Sequence, residues 1–237
     1  MHMDILVNTI LSDFRHALKN SWFSIAVLAA VVSFWLDLGT DAFWLLRGGG
    51  IDPMDLLRKA LSGAGSALSL PLLASLPCAA GAWQELTAGA ARMAVFRCGR
   101  PAYIAGKLLA AFCMAALAQA AGAFLFTGLL LAISPAPSAA FPVSVLGARL
   151  LSAMFFSVVG GIGALLARDT VSAYAIPTAI GFSLSLLSAR FFIGVPYVSP
   201  LAWLAGDRQA IRLLLLLLAV ASTAYIIILR REMDHYV

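Results

Sequence analysis

Charged side chains are scarce in this sequence. Asp, Glu, Lys and Arg make up 11% of it, against about 25% in ordinary soluble domains. That scarcity excludes a soluble core of this length. Strict alternation of apolar and polar residues is also missing, which excludes a membrane β-barrel. Cysteine is limited to Cys78, Cys98 and Cys113. An odd number with no CxxC or Cys/His spacing supports neither a disulfide framework nor a zinc site. His2, His16 and His235 lie near the termini, too scattered for a metal or catalytic cluster. No phosphate-binding loop is present: GxxxxGK[ST] ending at Gly106-Lys107 needs Gly at 101 and Ser or Thr at 108, where the chain has Pro101 and Leu108. A membrane-embedded serine protease fails too. Gly181-Phe182-Ser183-Leu184-Ser185 is the nearest approach to its nucleophile motif, and no histidine falls in an apolar segment.

What is present is oil. The chain is 62% hydrophobic with a mean hydropathy of +0.95, and it has room for roughly six spans of about 20 residues. Backbone polar groups in lipid must be paired within the segment, so these runs predict helices. The fold class is an all-α integral membrane protein, a single membrane domain over 1–237 with six transmembrane helices. The spans are expected at about 22–38, 62–82, 103–132, 147–167, 171–192 and 210–229. Pro71 and Pro77 predict a kinked second span, and Pro177 kinks the fifth. Gly160, Gly161, Gly163 and Ala164 allow close helix approach in the fourth. Arg230-Arg231 is expected to stop the sixth.

Ahead of the first span, residues 5–20 read as an amphipathic helix. Leu6, Val7, Ile10, Leu11, Phe14 and Leu18 share one face, and Asn8, Asp13, Arg15, His16 and Lys19 share the other. Such a helix rests in the interface plane. Its length and acids do not suit a signal peptide. Asp52-Pro53 is placed to start a short interfacial helix within the loop at 37–62, where Gly48-Gly49-Gly50 turns the chain. The stretch from Gly194 to Arg208, with Pro196, Tyr197, Pro200 and Trp203, reads as a re-entrant or interfacial hairpin before the last span.

The net charge of +5 is better spent on topology and anionic lipid than on nucleic acid. With the N-terminus inside, nine basic residues fall in cytoplasmic segments and seven outside. Both termini are therefore expected in the cytoplasm. The spans carry no carboxylate near their centres, which disfavours coupling to protons or sodium. Arg149 and Arg190 are expected near outer helix ends, where they can snorkel. Gln119 sits mid-span, either in an interhelical hydrogen bond or on a substrate path.

The longest polar interruption runs from Trp83 to Lys107. Residues Glu85 to Cys98 can form one helix, with Leu86, Ala90, Met93 and Phe96 roughly on one side and Arg92 and Arg97 displayed around it. Arg100 follows, and Pro101 suits the first turn of the next helix. Physically this is either a loop that only fixes orientation or a surface gripped by a partner.

The pattern Glu85-x-x-x-Gly89, a basic turn, then Tyr103-Ile104-Ala105-Gly106-Lys107-Leu108 resembles the permease subunit of type-2 ATP-binding-cassette (ABC) exporters. The N-terminal helix, with Phe14, Arg15 and Lys19, is similar to that family's elbow helix, and Tyr197 to Leu204 resembles its extracellular hairpin. The family often has proline near position 98, where this chain has Cys98 and then Pro101. The resemblance implies a non-catalytic half-transporter in a prokaryotic plasma membrane, paired with a second permease copy or a related chain. Cytoplasmic ATPase subunits would bind the ATP and magnesium, and this chain would hold no cofactor. Glu85, Gly89, Arg92, Met93, Phe96, Arg97 and Arg100 would form the coupling segment, and Gly106-Lys107 would open the third span. Its small loops are similar to bacteriocin-immunity and peptide-export permeases, which implies an amphipathic or hydrophobic substrate such as a toxic peptide. A substrate-binding membrane component, or an immunity or scaffold protein with no transport path of its own, is the alternative.

Overall fold

The computed structural model describes residues 18–47, 51–133, 139–191 and 195–236. The amphipathic segment before residue 18, with Phe14 and Arg15, lies outside the described residues, as does Gly48-Gly49-Gly50. Among those described, eleven α-helices follow one another: α1 (Ser21–Leu38), α2 (Thr40–Leu46), α3 (Pro53–Ser62), α4 (Ala64–Ser75), α5 (Gly81–Thr87), α6 (Ala90–Cys98), α7 (Arg100–Ile133), α8 (Val143–Ala167), α9 (Ser172–Arg190), α10 (Pro200–Leu204) and α11 (Arg208–Tyr236). Five of them, α1, α7, α8, α9 and α11, are long and apolar enough to cross a membrane. The molecule is an all-α, multi-pass membrane-spanning protein.

Helix α8 is the axis of the bundle. Two-thirds of its most apolar stretch (67%) is buried, against 17% for α9 and for α11, which turn most of their surface outward. Its glycines make that central position workable. A Cβ on Gly160 would collide with the Ala173 carbonyl oxygen, and one on Gly161 would lie 2.7 Å from the Tyr225 ring. Helices α9 and α11 therefore approach α8 closely, as small residues permit in membranes. The close approach read from this glycine cluster is present.

Several boundaries depart from expectation. The anticipated single span at 62–82 is broken: α4 is a 12-residue helix, turns occupy 76–80, and α5 follows as a separate short helix. Pro77 lies inside the break and is buried, which fits a residue that cannot donate to the helical ladder. Pro71 is accommodated within α4, packed so tightly that a Cβ on Gly181 of α9 would sit 2.5 Å from its Cγ. Helix α11 continues as helix past Arg230-Arg231, the expected end of the sixth span, to Tyr236. Helix α3 begins as expected: Asp52 Oδ1 caps it by accepting from the Met54 amide at 2.8 Å, with Pro53 in the first turn.

Between α9 and α11 lies a 3-10 turn at Pro196–Val198, followed by α10. Trp203 of α10 is fully buried, its indole N–H donates to the Tyr197 carbonyl at 2.9 Å, and Phe155 meets it edge-on with centroids 5.9 Å apart. A single aromatic anchor thus pins this short stretch against α8.

Candidate functional site

The basic interruption occupies one end of the bundle, where α5, α6, the start of α7 and the end of α11 meet. Its local structure follows from two glycines. Gly89 has φ +74° and Gly99 has φ +82°, a left-handed region that favours glycine, and α6 is the nine residues between them. The expected single helix from Glu85 to Cys98 is therefore two helices. Glu85 belongs to α5, while Met93, Phe96 and Arg97 belong to α6.

Helix α6 has an inner and an outer face at helical spacing. Ala91 is buried, and Ala94, Val95 and Cys98 pack partly against the core. Arg92, Met93, Phe96 and Arg97 are exposed. Phe96 is 91% exposed and Met93 59%, an apolar pair standing between two guanidinium groups. The helix and the two that flank it are also tied to the end of α11. Arg92 Nε donates to the Tyr236 carbonyl at 2.6 Å, Arg100 pairs with Asp234 at 2.7 Å, and Trp83 of α5 meets the Tyr236 ring edge-on at 5.8 Å. Nearby, Arg168, the one non-glycine with positive φ among the described residues, pairs with Glu232 at 3.4 Å.

Behind α6, the fold brings together Glu85 and Lys107. Lys107 is buried and its Nζ donates to Glu85 Oε1 at 2.5 Å. Tyr103, one turn earlier on α7, donates its hydroxyl to Glu85 Oε2 at 3.0 Å. Both carboxylate oxygens are thus engaged, and an ammonium taken out of water is matched by an anion. This pair forms one wall of a cleft of about 410 Å³ that reaches Trp22 and Tyr174 across the helix break at Pro77.

A second polar centre lies near the opposite end. Arg149 on α8 does not snorkel outward as its position in the sequence suggests; it is fully buried. Its Nε donates to Gln119 Oε1 at 3.1 Å, and its Nη1 donates to Ser66 Oγ at 3.0 Å and the Leu61 carbonyl at 3.1 Å. Its guanidinium carbon lies 4.5 Å from the Phe34 ring centroid. Snorkelling fails because acceptors come to the side chain: the α3–α4 junction bends over it. Asp37 fixes that junction by accepting from the Gly65 and Ser66 amides at 2.9 and 2.5 Å. Gln119 makes the interhelical hydrogen bond anticipated for it, while its Nε2 and Arg149 Nη2 have no partner among the described residues.

Sequence reading misses Asp37, Ser66, Asp234 and Tyr236 as structural partners. The available signal is Asp37 and Arg149 as opposite charges intruding on apolar runs. Among the described residues there is no group of three or more His, Cys, Asp or Glu that could hold a metal ion. Compared with known protein families, curated proteins and solved structures, the chain matches none.

Proposed function

We propose that this chain is the transmembrane subunit of an ATP-driven ABC exporter, moving an amphipathic or hydrophobic substrate such as a peptide. The observation that carries the reading is α6, a short helix bounded by Gly89 and Gly99 with Phe96 and Met93 bare between arginines. An apolar pair rimmed by charge suits a protein groove better than bulk water. In this reading a cytoplasmic ATPase subunit, holding ATP and magnesium, seats α6. Movement of α6 then passes to α7 along the chain and through the neighbouring Glu85–Lys107 pair, and rigid helices carry it into the bundle. A second permease copy completes the path, and both termini face the cytoplasm of a prokaryotic cell.

The test is co-expression of the full chain with the ABC ATPase encoded beside it, followed by purification through a tag on the chain. The ATPase is expected to co-purify, and to be lost from Phe96→Ala/Arg97→Glu while the variant keeps its melting temperature. An undiminished complex would overturn the assignment of α6. Substrate movement into inverted vesicles that persists without ATP hydrolysis would overturn the exporter reading.

A further inference from the structure

The cleft beside Lys107 has a companion. An apolar groove of about 530 Å³, lined by Leu72, Val171, Ala175, Ala179 and Phe182, runs between α4 and α9. Tyr174 lines both the groove and the cleft. The two spaces therefore share one amphipathic ring, with Trp22 tilted against it at 6.5 Å. Their chemistry differs sharply. The groove is apolar apart from the Thr178 and Tyr174 hydroxyls, and the first of these is spent on the Tyr174 carbonyl. The cleft presents Lys19, Asn20, Gln84, Glu85 and Lys107, so two ammonium groups face one carboxylate. Glu85 balances Lys107, which leaves the charge of Lys19 and the two amides to set the cleft's preference: an anion with hydrogen-bond acceptors.

A polar chamber favouring phosphate and an apolar trough that share Tyr174 fit one kind of molecule. We propose that cleft and groove together bind a glycerophospholipid, its anionic phosphate head beside Lys19 and Lys107 and an acyl chain laid along α4 and α9. Tyr174 and Trp22 mark the level of the ester region, where aromatic rings with polar tips settle. The helix break at 76–80 is what opens this site. Leu76, Pro77 and Cys78 line the cleft where a continuous helix would have filled it. The inference concerns the chain alone and does not rest on an ATPase partner.

The full chain, purified in mild detergent and titrated with phosphatidylglycerol, is read by native mass spectrometry. One lipid per chain is expected to survive activation. Lys19→Glu replaces attraction by repulsion and is expected to weaken retention about tenfold. Ala175→Trp fills the groove from an exposed position and is expected to weaken it comparably. Leu216→Trp, on an outward position of α11, is the control for general loss of surface lipid and is expected to retain the wild-type lipid. Excess inorganic phosphate is expected to leave the bound lipid in place. Unchanged retention in both site variants would overturn the proposal. So would equal loss in the Leu216→Trp control, or displacement by inorganic phosphate, which would mean a soluble-anion site. Unaltered melting temperatures in the two variants separate loss of lipid from loss of fold.

Discussion

Lys107 Nζ stands 2.5 Å from Glu85 Oε1, a bond that closes 22 residues of chain into a loop and fastens α5 to α7. The partners differ in environment, with the lysine side chain 8% exposed and the glutamate 32%. Removing either partner is therefore not symmetric.

Glu85→Gln takes the carboxylate charge away from a buried ammonium, whereas Lys107→Met leaves a carboxylate that water can reach. A broken, fully buried pair typically costs about 3–5 kcal/mol; partial exposure of Glu85 reduces the expected loss to about 1–3 kcal/mol. Thermal unfolding in detergent should show Glu85→Gln melting below Lys107→Met, and the double variant recovering part of the loss. Additive losses in this double-mutant cycle would show that the two groups act independently.

Gln119 and Arg149 make the opposite case, a contact improved by adding charge. Gln119 Nε2 and Arg149 Nη2 are both donors without a partner among the described residues. Gln119→Glu removes one orphan and offers the other an acceptor, forming the forked pair that guanidinium groups favour. We expect a raised melting temperature, where most buried substitutions lower it. Gln119→Leu, which strands Arg149 Nε as well, should lower it by about 1–3 kcal/mol of stability.

Glycine positions separate packing from flexibility. Gly160→Ala drives a Cβ into the Ala173 carbonyl oxygen and should cost about 1–3 kcal/mol as overpacking. Gly128, also helical, has open space where an alanine methyl would stand, with nothing within 4 Å. Gly128→Ala should therefore be neutral or raise stability by up to about 1 kcal/mol. Size-exclusion profiles after heating distinguish the two.

The tether from α6 to α11 should govern local opening. Arg92→Ala combined with Tyr236→Ala removes the Arg92 bond to the Tyr236 carbonyl and the ring contact to Trp83. Amide exchange in Ala90–Cys98 should accelerate while α8 is unaffected. Salt should have a smaller effect in the same direction, because Arg100 and Asp234 are each about half exposed and such pairs are weak and screened.

The parts of the fold visible in the sequence are those set by composition and short-range rules. Apolar length places α1, α7, α8, α9 and α11, and Asp52-Pro53 marks the start of α3. The helix break at 76–80 is not visible as a break, because Pro71 and Pro77 look alike in sequence. One is tolerated within α4, and the other falls in the turns, a choice made by packing against α9 and the rest of the bundle. At the candidate site, Glu85, Gly89 and Lys107 stand out separately. That the first and last form one ion pair requires the chain to turn twice between them. Arg149 is misplaced by sequence reading because its partners, Ser66 and the Leu61 carbonyl, are brought by a junction more than 80 residues away in sequence. Such acceptors leave no local trace.

Helix α7 carries a consequence for reach. It has 34 residues, about 50 Å at 1.5 Å per residue, while the hydrocarbon layer is about 30 Å thick. The stretch after Lys107 carries no charged residue, so residues 100–107, which hold Arg100 and Lys107, amount to a pedestal of about 12 Å. Helix α6 is mounted at the foot of that pedestal, separated from α7 by Gly99 alone. In the proposed exporter, a subunit that takes hold of Phe96 meets it at the opposite end of this segment from the uncharged run.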